Sequence, residues 1–188
     1  MRVIAGALKG RRLEAPSWDG VRPTSDKLRE TLFNVLAPRI RGASVLDGYA
    51  GTGAVGIEAI SRGASGVTFV ERDPRAARLI ESNLERCGVR DRYAIIRARF
   101  ADVPARLAGR RFGVVFVDPP YGMAEMAVAL DTAGPLVDDG GVLVLEHAKR
   151  DVAPPFAGPL ARRRQIVSGD SALAFYEHRA DCRLTTAD

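Results

Sequence analysis

A chain of 188 residues with 46% hydrophobic content holds enough apolar material for one sizeable core, and no composition shift marks a second domain. No apolar run approaches the roughly twenty residues needed to span a bilayer, and residues 1–16 lack the apolar stretch of a signal peptide. The net charge of +5 resides in residues 1–41, where nine basic side chains face four acidic ones; the remaining 147 residues hold 19 of each.

That basic excess is the footprint of a segment that meets phosphates, or an ordinary solvated surface. Cys87 and Cys182 are far apart and lack CxxC spacing, so neither a zinc site nor a disulfide framework is expected and a cytoplasmic setting is. No extended apolar surface is evident, which makes a monomer the expectation.

Residues 2–5 and 11–15 are short extended candidates around Gly6 and Gly10, a small basic β-hairpin, and residues 16–23 are turn-rich. Thr24 or Ser25 can cap a helix whose apolar positions Leu28, Leu32, Val35 and Leu36 recur at helical spacing, with Asp26 in its first turn and Pro38 stopping it. Arg29 falls on another side of this helix, where it could face a ligand or solvent.

The next stretch, SVLDGYAGTGAVGIEAISRG (44–63), is a strand, a glycine loop and a helix. Val45 and Leu46 form the buried strand, which Asp47 ends; residues 48–53 turn with little side-chain bulk, and helical periodicity resumes at Ala54. Such glycines let backbone N–H groups approach a ligand, and the helix points its electropositive end at the same spot. Gly51, Gly53 and Gly56 match Gly-x-Gly-x-x-Gly, and Glu71 lies about twenty residues on, as a dinucleotide fingerprint requires. Asp47 favours a different ligand. A carboxylate beside the loop suits the ammonium and sulfonium of S-adenosylmethionine (SAM) and repels a pyrophosphate.

Residues 67–70 form a second strand ending in Glu71, and Asp73-Pro74 starts a helix that Gly88 stops. Residues 93–96 are a third strand and 101–107 a short helix. Residues 112–117 are the most continuous apolar run, a buried central strand that ends at Asp118-Pro119-Pro120-Tyr121. A helix over 123–133, a fifth strand over 142–145 and a proline-rich connection over 152–159 follow. Residues 162–167 and 172–177 flank Ser168-Gly169-Asp170-Ser171 as an antiparallel hairpin, and residues 180–188 read as a frayed tail.

Alternating strands and helices that close with a hairpin predict an α/β fold, a doubly wound, mostly parallel sheet with an antiparallel C-terminal edge. Asp47, Glu71 and Asp118 all end strands, so this fold gathers them at one rim. There Glu71 can accept hydrogen bonds from both ribose hydroxyls of an adenosine. The two prolines fix the backbone after Asp118 and leave carbonyls without competing N–H groups. Asp118 and the Pro119 carbonyl can therefore take the protons of a nucleobase amine and aim its lone pair at a methyl donor, with Tyr121 stacked on the base.

RPTSDKLRETLFNVL (22–36), LDGYAGTGAVGIEAISRGA (46–64), VDPPY (117–121) and SGDSALAFYE (168–177) together resemble the bacterial RsmD family, which methylates the N2 amine of a guanine in small-subunit (16S) ribosomal RNA with SAM. The resemblance implies a Rossmann-like class I SAM-dependent methyltransferase domain over 42–179, preceded by a basic extension over 1–41. It implies that Asp47, Gly51 and Gly53 border the methionyl part of SAM, Glu71 the ribose, and Asp118, Pro119, Pro120 and Tyr121 the target amine, with Tyr49, Ala50, Arg72, Phe100 and Asp118 also at the cofactor. Thr24 would close over the cofactor, and Arg2, Lys9, Arg11, Arg12, Arg22, Lys27 and Arg29 would hold ribosomal RNA or a small-subunit assembly intermediate.

Two positions depart from the family pattern. Gly48-Tyr49 stands where a bulkier residue followed by Phe is usual, which predicts a looser loop. Residues 97–100, Arg-Ala-Arg-Phe, lack the acid that many SAM enzymes place after the third strand, leaving adenine to backbone groups and Phe100. DNA adenine-N6 or protein-glutamine methylation uses the same turn chemistry, and an NAD-dependent oxidoreductase remains the alternative from another class.

Overall fold

The computed structural model of the protein describes residues 1–16, 18, 25–120 and 122–179. Strands β1 (Ser44–Gly48), β2 (Gly66–Glu71), β3 (Tyr93–Arg97), β4 (Phe112–Val117) and β5 (Val137–Ala148) run parallel. Strands β6 (Phe156–Ala157), β7 (Leu160–Ser168) and β8 (Ser171–His178) extend the sheet antiparallel, giving the order β3-β2-β1-β4-β5-β8-β7-β6. The direction of winding reverses between β1 and β4, and in such sheets ligands bind at the carboxyl ends of the strands flanking that point.

Side chains alternate across the strands and build two apolar layers. Val45, Phe69, Val114, Phe116, Val142 and Val144 pack beneath α1 (Asp26–Ile40), α2 (Ala54–Ser61) and α3 (Pro74–Cys87). Leu46, Val70, Val115, Val117, Leu143 and Leu145 pack on the other face against α4 (Met123–Ala133) and the turns around Phe100 and Leu107. The doubly wound, mostly parallel sheet with its C-terminal antiparallel hairpin is thus the observed architecture.

Local chemistry explains the helix ends. The Ser25 hydroxyl accepts the Leu28 N–H at 3.2 Å, and Asp73 accepts the Arg75 N–H at 2.8 Å with Pro74 in the first turn. Gly88 ends α3 in the left-handed region at φ 75°.

Several expectations need correction. Pro38 does not stop α1, which runs to Ile40; the missing N–H falls in the last turns, and Ile40 is buried by continuing. Residues 101–107 form two 3₁₀ turns, Phe100–Asp102 and Pro104–Arg106, rather than one helix. Strand β5 starts at Val137, with a register irregularity opposite the Phe112-to-Val114 step.

The N-terminal hairpin is short: Arg2 and Arg12 form its antiparallel bridge, the Val3 N–H donates to the Arg11 carbonyl at 2.9 Å and the Leu13 N–H to the Met1 carbonyl at 3.1 Å, and the backbone nearer its turn bonds to α2. The Glu58 carboxylate accepts the N–H groups of Ile4 at 2.7 Å and Ala5 at 3.0 Å, and the Ser61 carbonyl accepts that of Ala7 at 2.8 Å. Val3 and Leu13 are buried, so this segment forms part of the core. Among the described residues no helix is long and apolar enough to cross a membrane.

Candidate active site

The glycine loop is held from three sides. Its left-handed residues are Tyr49 at φ 63°, Gly51 at 55° and Gly53 at 75°, and Tyr49 is the one that carries a side chain in a region L-residues disfavour. The Ala50 N–H donates to the Val70 carbonyl at 2.9 Å, tying the loop to β2. Glu71, at the end of β2, accepts the Gly51 N–H on Oε2 at 2.9 Å and the Asp73 N–H on Oε1 at 2.8 Å. Each of these oxygens retains a second lone pair for a hydroxyl in the cleft.

Asp47 has a role that its place in the sequence does not announce. Its Oδ2 accepts the Gly56 N–H at 2.8 Å, satisfying a first-turn donor of α2 that the cap residue Gly53, with no side chain, cannot reach. Asp47 is 1% exposed. Burial pushes its pKa up to about 8, opposed by the Gly56 N–H and reinforced by the nearby Glu71 charge.

Phe100 lies beside the loop and lines the same cleft. Its ring lies 5.1 Å from that of Tyr49 at an interplanar angle of 37°. A Cβ at Gly48 would come within 2.5 Å of the Phe100 ring. The loop is therefore not loosened by Gly48: the aromatic ring occupies the space that a larger residue would need. Burial also pushes the Tyr49 phenol up to about 12, with Glu125 adding to the effect and Arg72 and Arg99 opposing it.

Asp47, Tyr49, Ala50, Gly51, Glu71, Arg72, Phe100, Asp118, Pro119 and Pro120 line one cleft of about 760 Å³. Three sequence-distant acids thus meet at the carboxyl ends of β1, β2 and β4. Among the described residues no group of three or more His, Cys, Asp or Glu could hold a metal ion. A more open depression of about 560 Å³, lined by Asp139, Gly158 and Arg179 among others, lies at the amino-terminal end of β5 and gathers no strand-end carboxylates.

Two residues expected at the site fall elsewhere. Gly53 is absent from the lining; it turns into α2, where an added Cβ would lie 3.1 Å from Ile80, so its role is tight packing. Arg29 is fully buried, where it donates to Asp26 at 3.0 Å and to the Arg2 carbonyl and lies 3.9 Å from Glu58. It joins α1 to the N-terminal segment and α2 and offers nothing to RNA. Arg2, Lys9, Arg11, Arg12 and Lys27 are exposed. Thr24, Arg22 and Tyr121 lie outside the described residues.

The cleft also contains residues that motif and spacing do not single out. Ser25, which caps α1, Leu28 of α1, Glu146 of β5 and the turn over residues 168–171 are in its lining. Glu146 carried a legible signal, since it ends the apolar run over residues 142–145 as Asp118 ends that over 112–117. Trp18 and Arg75 line the opposite end, with the guanidinium 5.2 Å from the indole centroid.

Comparison with known proteins gives the chain's family. Residues 1–177 match the family described as conserved hypothetical protein 95. Over 182 residues the chain is 33% identical to the ribosomal RNA small subunit methyltransferase D of Escherichia coli K12, covering 96% of this chain and 91% of the relative. The Haemophilus influenzae protein of the same name is 40% identical over 134 residues, 69% of each chain. The solved structure of yhhF from Escherichia coli superposes with a TM-score of 0.82 at 33% identity, covering 96% of this chain and 98% of that one. The sheet order, the strand-end acids and these likenesses together make the fold that of Rossmann-like SAM-dependent methyltransferases, and the chain belongs to the RsmD family of methyltransferases.

Proposed function

We propose that the protein transfers a methyl group from SAM to the exocyclic N2 amine of a guanine in small-subunit ribosomal RNA. The observation that carries this reading is the single cleft in which the glycine loop and Glu71 lie beside Asp118-Pro119. The names of the relatives support a ribosomal RNA substrate.

The donor set fits the cofactor. Glu71 would hold the ribose hydroxyls, Tyr49 and Phe100 would flank the adenine, and Asp47, Ala50 and Gly51 would border the methionyl end with Arg72 at the rim. Thr24 would close over it. Asp47 suits a cationic ligand because a nearby positive charge favours the ionised form that burial disfavours. When bound, SAM supplies an electrophilic methyl group on a sulfonium.

The chain's own contribution is to desolvate, orient and polarise the amine. The Asp118 carboxylate and the Pro119 carbonyl accept hydrogen bonds from its two N–H groups, turning the nitrogen lone pair toward the methyl donor; as the N–C bond forms and the S–C bond breaks, one of the two protons would leave by way of the Asp118 carboxylate, while Pro120 stiffens the turn and Tyr121 stacks on the base. This uses positioning and electrostatics, with no covalent enzyme intermediate. A base inside a duplex cannot present its amine to such a turn, so the target guanine lies in a loop or is flipped out. Arg2, Lys9, Arg11, Arg12, Arg22 and Lys27 would hold the RNA backbone. The protein would act in the cytoplasm, as a monomer.

The test is labelled methyl transfer from SAM, with small-subunit RNA or nascent small subunits, duplex DNA and glutamine-containing peptide in competition. Incorporation into the ribosomal substrate is expected. Preferential labelling of DNA or peptide, or tighter binding of NAD than of SAM, would overturn the proposal.

A further inference from the structure

An exocyclic amine alone does not distinguish guanine from adenine or cytosine, since Asp118 and Pro119 can hold any of the three. The neighbouring ring nitrogen does. In guanine N1 carries a hydrogen and donates; in adenine N1, and in cytosine N3, the nitrogen beside the amine is a bare acceptor. A site selective for guanine therefore needs an acceptor next to the group that holds the amine, and an ionised carboxylate accepts only.

Glu146 is placed for that task. Strands β4 and β5 are parallel with Val117 opposite Leu145, so Asp118, the first residue past β4, and Glu146 each come one step after that pair. Two residues earlier on each strand, Phe116 and Val144 pack in the same layer beneath α1. By alternation Asp118 and Glu146 leave the sheet on that same face. Both line the cleft, as do Leu28 of α1 and the turn between β7 and β8, and Glu146 is 8% exposed.

We propose that Glu146 selects guanine by accepting the N1–H of the target base beside the amine held by Asp118. This rests on the guanine-N2 reading above. An adenine or cytosine in the same pose would set its ring-nitrogen lone pair against the carboxylate, and a site built around a substrate donor rejects analogues lacking it far more strongly than an apolar pocket does. The second carboxylate oxygen would remain for the wall of the pocket or for ordered water.

The experiment replaces the methylated guanine, once mapped, with 2-aminopurine in a small-subunit RNA ligated from fragments. This analogue keeps the amine on C2 but has a bare N1. The wild-type protein is expected to prefer guanine by about tenfold or more in kcat/KM, the range of a lost hydrogen bond to a charged group. In Glu146→Gln, whose amide can turn its N–H toward a bare N1, that preference should shrink about tenfold, with SAM affinity unchanged. Glu146→Asp keeps the charge and should retain the preference while losing rate.

Equal use of both bases by the wild-type protein would overturn the assignment without any variant. So would an unchanged preference in a folded Glu146→Gln, whatever its absolute rate. Absence of transfer to guanine by the wild-type protein would instead sink the proposed function and this assignment with it.

Discussion

Replacing Asp47 with Asn tests the electrostatics of the cofactor end of the cleft. Burial holds the carboxyl near pKa 8, so with the cleft empty at neutral pH it is mostly protonated. A cationic ligand binds better to the ionised form. If only that form binds, apparent affinity is divided by the ionised fraction, which is about one tenth at pH 7 and about one hundredth at pH 6.

The ligand's own α-amine titrates near 7.7–8.0, roughly the same range, but does so equally against both proteins. The advantage of wild type over Asp47→Asn in SAM binding therefore isolates the carboxyl. It should shrink about tenfold per pH unit below 8 until it vanishes. Titration calorimetry from pH 6 to 9, in buffers of differing ionisation enthalpy, reads both the affinity and the proton released on binding. A constant advantage across that range, with no difference in proton release between the two proteins, would refute the reasoning.

The same shift predicts the pH dependence of stability. A carboxyl whose folded pKa lies above the unfolded value of 3.8 binds more protons when folded, so its contribution to stability declines as pH rises from about 4 to 8. Asp47→Asn should flatten that slope in thermal melts, and an unchanged slope would count against the assigned burial effect. In Gly56→Ala the new Cβ would lie 2.2 Å from the buried Phe69 ring, and a loss of about 1–3 kcal/mol in denaturant unfolding is expected; wild-type stability would contradict the packing. Gly48→Ala should push on Phe100 and weaken SAM binding, and unchanged affinity would remove the aromatic pair from the adenine site. Arg11→Ser with Arg12→Ser should lower RNA affinity and reduce the slope of log affinity against log salt by about 0.7–0.9 for each phosphate no longer neutralised. Arg29→Met should leave that slope alone and destabilise the fold by about 1–3 kcal/mol, since the Arg2 carbonyl and Asp26 lose their donor while Glu58 keeps Arg62 and two backbone N–H groups; a change in salt slope would return Arg29 to the RNA surface.

What could be read from one dimension was whatever depends on neighbours in sequence. Apolar runs that stop at Asp47, Glu71 and Asp118 announce strand ends, and a parallel sheet then gathers them without further information. Asp73-Pro74 and Gly88 mark α3 because caps are local chemistry. The burial of Arg29 is not legible in one dimension because it depends on Asp26, Glu58 and the Arg2 carbonyl, two of which come from elsewhere in the chain. Gly53 matches a ligand-binding pattern, yet Ile80 and Phe69 behind it explain why a side chain is excluded. The capping bond between Asp47 and Gly56 joins a strand to a helix, and only three-dimensional packing brings the pair within reach.

The central claim is that Asp118 holds a guanine amine before a methyl donor held by the glycine loop and Glu71. Its most direct test is nucleoside mass spectrometry of small-subunit RNA incubated with SAM and either the wild-type protein or Asp118→Ala. The account predicts N2-methylguanosine with the wild type and a loss of about 10²–10³-fold in the variant, which still binds SAM normally. A different methylated nucleoside, or an Asp118→Ala protein of undiminished activity, would contradict it.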